Sequence, residues 1–297
     1  IYQVVLRKIA IFAEKLRSAL SCHQYIYRYS YCYNLIMNDM NKDKLPVILV
    51  SNDDGINAPG IHRLIDYVAG RGRIIAVAPD GPRSGQSSAL TVNSPLRITR
   101  LPDYNGAEMY SVNGTPVDCV KLAVHVVLKD MHPDILLAGI NHGSNSAINA
   151  LYSGTMGAVF EGCLLGADAI GFSYHSHDEN ASLAACAPVV EEVVSRVMEK
   201  GLPKGVCLNV NIPKCDKVAG IKTARAAEGY WTEEYAEYTD PHNRPYYWLT
   251  GRFHNAEPDA RDTDLYWTDR GYASIVPCRP DQTAYTDISA IKSLFED

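Results

Sequence analysis

From Leu45 onward, short apolar runs alternate with stretches of helical periodicity. Residues 47–51 are apolar up to a closing serine, the pattern of a strand covered on both faces. Residues 59–69 put Ile61, Leu64, Ile65 and Val68 on one face, which predicts a helix. Further strands are expected at 74–78, 108–112, 134–140, 169–174 and 206–212, with shorter extended pieces at 89–92 and 96–99. Helices are expected at 115–129, 155–165 and 184–200. The first of these opens on Thr115 as N-cap, Pro116 in the first turn and Asp118 near the positive helix end.

Repeated alternation of strand and helix predicts an α/β fold with a doubly wound, mostly parallel, Rossmann-like sheet. After about residue 221 the alternation stops, and tyrosines, prolines and charges take over, as in 230–238 and 245–249. This tail is expected to form appended β-hairpins rather than a separate globular unit. Residues 45–297 are therefore expected to be one domain, with 45–220 as α/β core and 221–297 as hairpin and tail region. Residues 1–44 are expected to be a poorly ordered extension upstream of it. They start with Ile, and up to Asp39 they hold Arg7, Lys8, Lys15, Arg17 and Arg28 against Glu14 and Asp39. A transit peptide is the rival expectation for residues 1–39, although the stretch is rich in Tyr and poor in Ser for one.

Bulk properties narrow the classes. With 46% hydrophobic residues in 297, a sizeable core is available. A net charge of -6 argues against binding a nucleic-acid polymer. Eight cysteines are scattered without a Cys-x-x-Cys pair, which suits reduced thiols in the cytoplasm. No apolar run is long enough to cross a membrane.

The candidate chemistry sits where the apolar runs end. Asp53 and Asp54 follow the first strand directly. In open α/β sheets, ligands bind outside the carboxyl ends of the strands. Two adjacent carboxylates there repel each other, and a divalent cation relieves the repulsion. Taken alone, Asp-Asp-Gly is also an ordinary turn sequence. Ser84 lies in the Gly/Ser-rich loop after the second strand, and Asn141 closes a later one. Ser153, Gly154 and Thr155 stand before a helix, whose free N–H groups make a phosphate seat. Carboxylate, hydroxyl and amide donors suit Mg²⁺ or Mn²⁺. A hard cation beside a phosphate seat points to phosphoryl chemistry.

Taken in order, these segments resemble the SurE family, the survival-protein-E 5′/3′-nucleotidases. The resemblance rests on VSNDDGINAPGI from Val50, VAPDGPRSGQSSALT from Val77, NGTPVDCVKLA from Asn113, LLAGINHGSN from Leu136 and YSGTMGAVFEG from Tyr152. It continues in DPHNRPYYWLTG from Asp240 and DRGYASIVPCRPDQT from Asp269. It implies one divalent cation per subunit, held by Asp53, Asp54, Ser84 and Asn141. It also implies phosphate or substrate binding by Ser153, Gly154 and Thr155, to which Asn57 is added. A homodimer or homotetramer using the C-terminal hairpins or tails is implied as well.

The expected reaction is hydrolysis of nucleoside 5′- and 3′-monophosphates by a metal-activated water, with short polyphosphate as a further substrate. Asp53 and Asp54 are the expected catalytic residues. A covalent aspartyl-phosphate is the rival mechanism, disfavoured because its usual pattern is Asp-x-Asp. A nucleotide-binding oligomeric sensor or scaffold with little turnover is the rival function. His142, beside Asn141, is a candidate for contact with substrate or with the water. His175 and His177 form His-x-His without a third partner at useful spacing, which favours loop or core histidines over a metal pair. Tyr230, Trp231, Tyr235, Tyr246, Tyr247 and Trp248 are expected in hairpin packing and a subunit interface.

Overall fold

A computed structural model describes residues 45–129, 131–178 and 180–296. The 1–44 extension, with Cys22 and Cys32, lies outside them.

The chain forms β1 (Val47–Ser51), α1 (Pro59–Val68), β2 (Arg73–Pro79), β3 (Ile98–Tyr104), β4 (Ala107–Val112) and α2 (Pro116–Leu122). Then come β5 (Ile135–His142), α3 (Gly154–Leu164), β6 (Asp168–Tyr174), α4 (Ala187–Lys200) and β7 (Cys207–Ile212). The C-terminal part holds β8 (Ile221–Thr223), β9 (Gly229–Thr232), β10 (Tyr235–Thr239), β11 (Pro245–Leu249) and β12 (Arg252–Asn255). It ends with α5 (Asp264–Thr268), β13 (Ala273–Cys278) and α6 (Ile288–Phe295).

One nine-stranded sheet runs β3-β4-β2-β1-β5-β6-β7-β13-β8. From β4 to β7 every neighbouring pair is parallel. The expected doubly wound α/β fold is therefore present. Alternation along the strands feeds two cores. Ile48 and Val50 pack with α1 and α4 on one face, and Leu49 packs with α2 and α3 on the other. This is why β1 reads as an unbroken apolar run: neither face meets water.

Three features differ from the sequence expectation. Residues 89–92 form no strand. The Ala89 carbonyl accepts from Thr115 Oγ1 at 2.7 Å, and the Thr91 N–H donates to the Asp118 carboxylate at 3.2 Å. Side chains at the start of α2 thus take the backbone groups that a ladder would use. The helix expected to 129 is α-helical only to Leu122 and continues as a π-helical stretch, Ala123–Leu128. Its start follows expectation, with a reciprocal capping box between Thr115 and Asp118.

The third difference is that β13 returns to the main sheet, antiparallel to β7, with Ala273 and Ser274 fully buried. Pro277 disguises it in the sequence. β8 pairs only with Ala273–Ile275, so the proline sits where no further ladder bond is needed. The two expected hairpin elements form beside the sheet, as β10–β11 and as the β9–β12 pair.

Candidate functional site

The strand order places the site. From β1 the chain winds outward through β2 to β4, then crosses back to β5 on the other side of β1. That reversal opens a crevice at the carboxyl ends of β1 and β5, and Asp53, Asp54 and Asn141 stand there.

The turn after β1 is tightly specified. Asn52 closes it with its own amide, donating to Gly55 O at 2.9 Å and accepting from Gly55 N at 3.2 Å. Gly55 has φ +103, and a Cβ there would lie 3.1 Å from Gly81 Cα. Glycine thus lets the loop after β2 come close. Arg83 N donates to Asp53 O at 2.6 Å, tying the residue before Ser84 to the aspartate pair.

Helix α3 meets the same aspartate. Ser153 caps it, accepting from Met156 N at 3.1 Å. Thr155 Oγ1 donates to Asp53 Oδ1 at 2.5 Å. Gly154 lies so close that a Cβ on it would sit 2.8 Å from Asp53 Cβ. Asp53 is 3% exposed, and its carboxyl is pushed up to about 6. Burial is the main cause; repulsion from Asp54 adds to it, and the Thr155 bond opposes it.

The loop following β5 is bolted down by buried amides. Asn145 Nδ2 donates to Ser173 Oγ at 2.7 Å, and Asn145 N donates to Asn211 Oδ1 at 2.9 Å. Asn209 Nδ2 returns a bond to Asn145 O at 2.8 Å. Asp264 adds a further tie, accepting from Ala147 N at 2.8 Å and Ala227 N at 2.9 Å. A closed polar network of this kind holds one loop geometry.

A cleft of about 440 Å³ opens over these loops, within the usual size of a small-ligand site. Asp54, Asn57, Asp80, Ser84, His142 and His177 are among its lining residues. No lysine or arginine is among them. Asp53, Ser153, Gly154 and Thr155 are buried and do not line it. Asn141 stands beside it, its amide donating to Gly143 O at 2.9 Å. The His142 ring is held against Asp54, with Nδ1 3.8 Å from Oδ2, and its Nε2 has no hydrogen-bond partner among the described residues.

Spacing alone did not reveal several of these features. The Thr155–Asp53 bond joins residues far apart in sequence. Asp80 and the exposed ring of His177 also reach the cleft. The clue for His177 was its place just past β6, the neighbour of β5. Among the described residues no cluster of three His, Cys, Asp or Glu side chains forms. Of Asp53, Asp54, Ser84 and Asn141, only the two aspartates are side chains of those types.

A family model described as survival protein SurE matches residues 48–233. The chain belongs to the SurE family. It is 43% identical over 254 residues to the 5′-nucleotidase SurE of Phocaeicola vulgatus, covering 86% of this chain and 98% of the relative. The 5′-nucleotidase SurE of Bacteroides fragilis is 44% identical over 252 residues, covering 85% and 98%. The crystal structure of the SurE protein from Aquifex aeolicus superposes with a TM-score of 0.73 at 36% identity, covering 84% of this chain and 99% of that one. The SurE match takes in Asp53, Asp54, Ser84, Asn141 and Ser153–Thr155, and it ends at the hairpins.

Proposed function

We propose that this SurE-family chain is a hydrolase that releases phosphate from nucleoside 5′-monophosphates, and also from 3′-monophosphates, with help from one divalent cation per subunit. Short polyphosphate is a further substrate of the same chemistry. The main support is the cleft. It is large enough for a mononucleotide, and of its two wall carboxylates Asp80 is paired with Arg83 at 2.7 Å, while among the described residues no lysine or arginine pairs with Asp54. A phosphate dianion needs a counter-charge to enter such a cleft.

The donors suit Mg²⁺ or Mn²⁺. Asp53, Asp54, Ser84 and Asn141 offer only hard oxygen ligands. The buried Asp53 carboxyl, raised to about 6 beside Asp54, is a pair short of positive charge. The bound cation would neutralise that pair and polarise a phosphoryl oxygen. The chain supplies the rest. The positive end of α3, at Ser153, Gly154 and Thr155, lies behind Asp53 and favours the phosphoryl charge through its dipole, with Asn57 at the rim. Thr155 fixes Asp53 through its hydroxyl. Asp54 accepts the proton of the attacking water, since it borders the cleft and Asp53 does not.

Magnitudes favour this division of labour. Phosphate-monoester hydrolysis is so slow that catalysis must remove more than about 20 kcal/mol. A general base contributes only about 10²- to 10⁴-fold, so most of the effect is electrostatic. Colorimetric phosphate release from a panel of 5′- and 3′-monophosphates tests this. Activity is expected with Mg²⁺ or Mn²⁺, to disappear with EDTA and to return with excess cation. Full turnover in EDTA would overturn the cation requirement.

The same proposal includes a homodimer or homotetramer. In the β10–β11 hairpin Tyr247, Trp248 and Leu249 are each more than half exposed. Helix α6 buries none of its residues and exposes Ile291, Leu294 and Phe295. Apolar surface gathered in this way marks a contact region. Trp248→Ser combined with Phe295→Ser is expected to lower the mass measured by light scattering towards that of one chain. A wild type that is already monomeric would refute this. A cytoplasmic location is supported by the six described cysteines, all free, with burial raising Cys186 to about 12 and Cys278 to about 11. Among the described residues no helix is long and apolar enough to cross a membrane.

A further inference from the structure

If the phosphate is held at the aspartate pair, the nucleoside must occupy the rest of the cleft. Two rings line it, His142 and His177, and no Phe, Tyr or Trp does. They stand at the ends of β5 and just past β6, which are neighbours in the sheet. The two rings differ in what holds them. The His142 side chain is 6% exposed, with Nδ1 turned to Asp54. His177 is exposed to solvent and borders the cleft.

The His177 ring nevertheless lies against the backbone. It packs on the backbone of Gly143, where a Cβ would come within 2.8 Å of Cε1 and 3.0 Å of Nδ1. Gly143 also has φ +127, a conformation that side-chain-bearing residues rarely adopt. The backbone conformation under the ring thus favours glycine, and the absence of a Cβ lets the ring approach. The surrounding backbone is tied as well. Gly143 N and Ser176 N both donate to Tyr174 O, at 2.9 and 2.7 Å, and His175 N donates to Ile212 O at 2.9 Å. A flat ring presented at the mouth of a nucleotide-sized cleft can stack on any base, because every base has a π-face.

We propose that His177 is a specificity-determining residue that stacks on the nucleobase of the bound nucleoside monophosphate, with Gly143 as the seat that orients it. This rests on the nucleotidase proposal above. It adds why a nucleotide would be preferred over a bare sugar phosphate.

The test compares adenosine 5′-monophosphate with ribose 5-phosphate, which carries the same phosphate and sugar without the base. In His177→Ala the ratio of kcat/KM, nucleotide over ribose 5-phosphate, is expected to fall about tenfold, mainly through KM. His177→Phe keeps a planar ring without a titratable nitrogen and is expected to restore the ratio. Calorimetric affinity for adenosine should follow the same order in the wild type and both variants. His177 is exposed, so both variants are expected to fold; circular dichroism checks this. An unchanged ratio in His177→Ala overturns the stacking role. So does a loss in His177→Phe as large as in His177→Ala. A wild type that hydrolyses ribose 5-phosphate at least as well as the nucleotide also overturns it, while leaving phosphatase chemistry intact. A wild type that hydrolyses neither overturns the nucleotidase proposal itself.

Discussion

Asp53→Asn is expected to lower phosphate release from nucleoside monophosphates by about 10³-fold while making the cation-free protein more stable. The two effects share one cause. Asp53 is almost fully buried, and its carboxyl is raised from the ordinary 3.8 to about 6. In the absence of a cation the folded protein therefore holds that proton more tightly than the unfolded chain. Stability then falls as pH rises through the window from about 4 to 6, and the ionised side chain costs on the order of 3 kcal/mol above it. Asparagine has the shape of the protonated form and never ionises. Its Oδ1 can still accept from Thr155 Oγ1, so the packing of α3 on the turn after β1 is kept. What it lacks is the negative charge that a divalent cation needs. Initial rates with Mn²⁺ and urea unfolding in EDTA at pH 4 and pH 8 measure both halves. The variant should gain stability over the wild type at pH 8 and little at pH 4. Turnover within tenfold of the wild type would remove Asp53 from the cation site.

The opposing trends show how much of the site can be read locally. β1 was legible to the residue, because a strand covered on both faces reads as an apolar run, here unbroken up to Ser51. α1 was legible from four apolar residues on one face, all of them fully buried. The aspartates were legible as a site candidate because they follow such a strand. Their environment was not. Burial of Asp53 depends on α3, which lies about a hundred residues further on and packs there through Gly154 and Thr155. No periodicity reports such a contact. The resemblance to the SurE family supplied Ser84 and Asn141 as a set with the aspartates, since a serine in a flexible-looking loop carries no signal of its own. β13 was hidden by Pro277, and His177 by its ordinary place in a loop. Elements set by their own burial pattern were readable. Those set by long-range approach were not.

Gly154→Ala is expected to cost about 10²-fold in kcat/KM, although alanine is the better helix former in general. Three glycines of α3 let it press against its neighbours. Gly154 meets Asp53, Gly157 meets the Ser87 carbonyl, and Gly162 meets the Leu136 side chain. At Gly154 an added Cβ would lie 2.8 Å from Asp53 Cβ and 3.0 Å from Oδ2, too close for either atom to stay. The Asp53 side chain must turn or the helix must withdraw, and both break the Thr155 bond to Oδ1. A displacement of about 1 Å at a catalytic group is enough for a loss of this size. Cation affinity measured by calorimetry should weaken in parallel, which a loss confined to stability would not produce. Gly162→Ala is the control on the same helix. Its Cβ would meet Leu136 Cδ1 at 2.7 Å, away from the aspartates. It should lower the melting temperature while the rate per folded molecule stays at the wild-type value. If Gly154→Ala behaves like Gly162→Ala, the close approach of α3 serves packing alone and does not position Asp53.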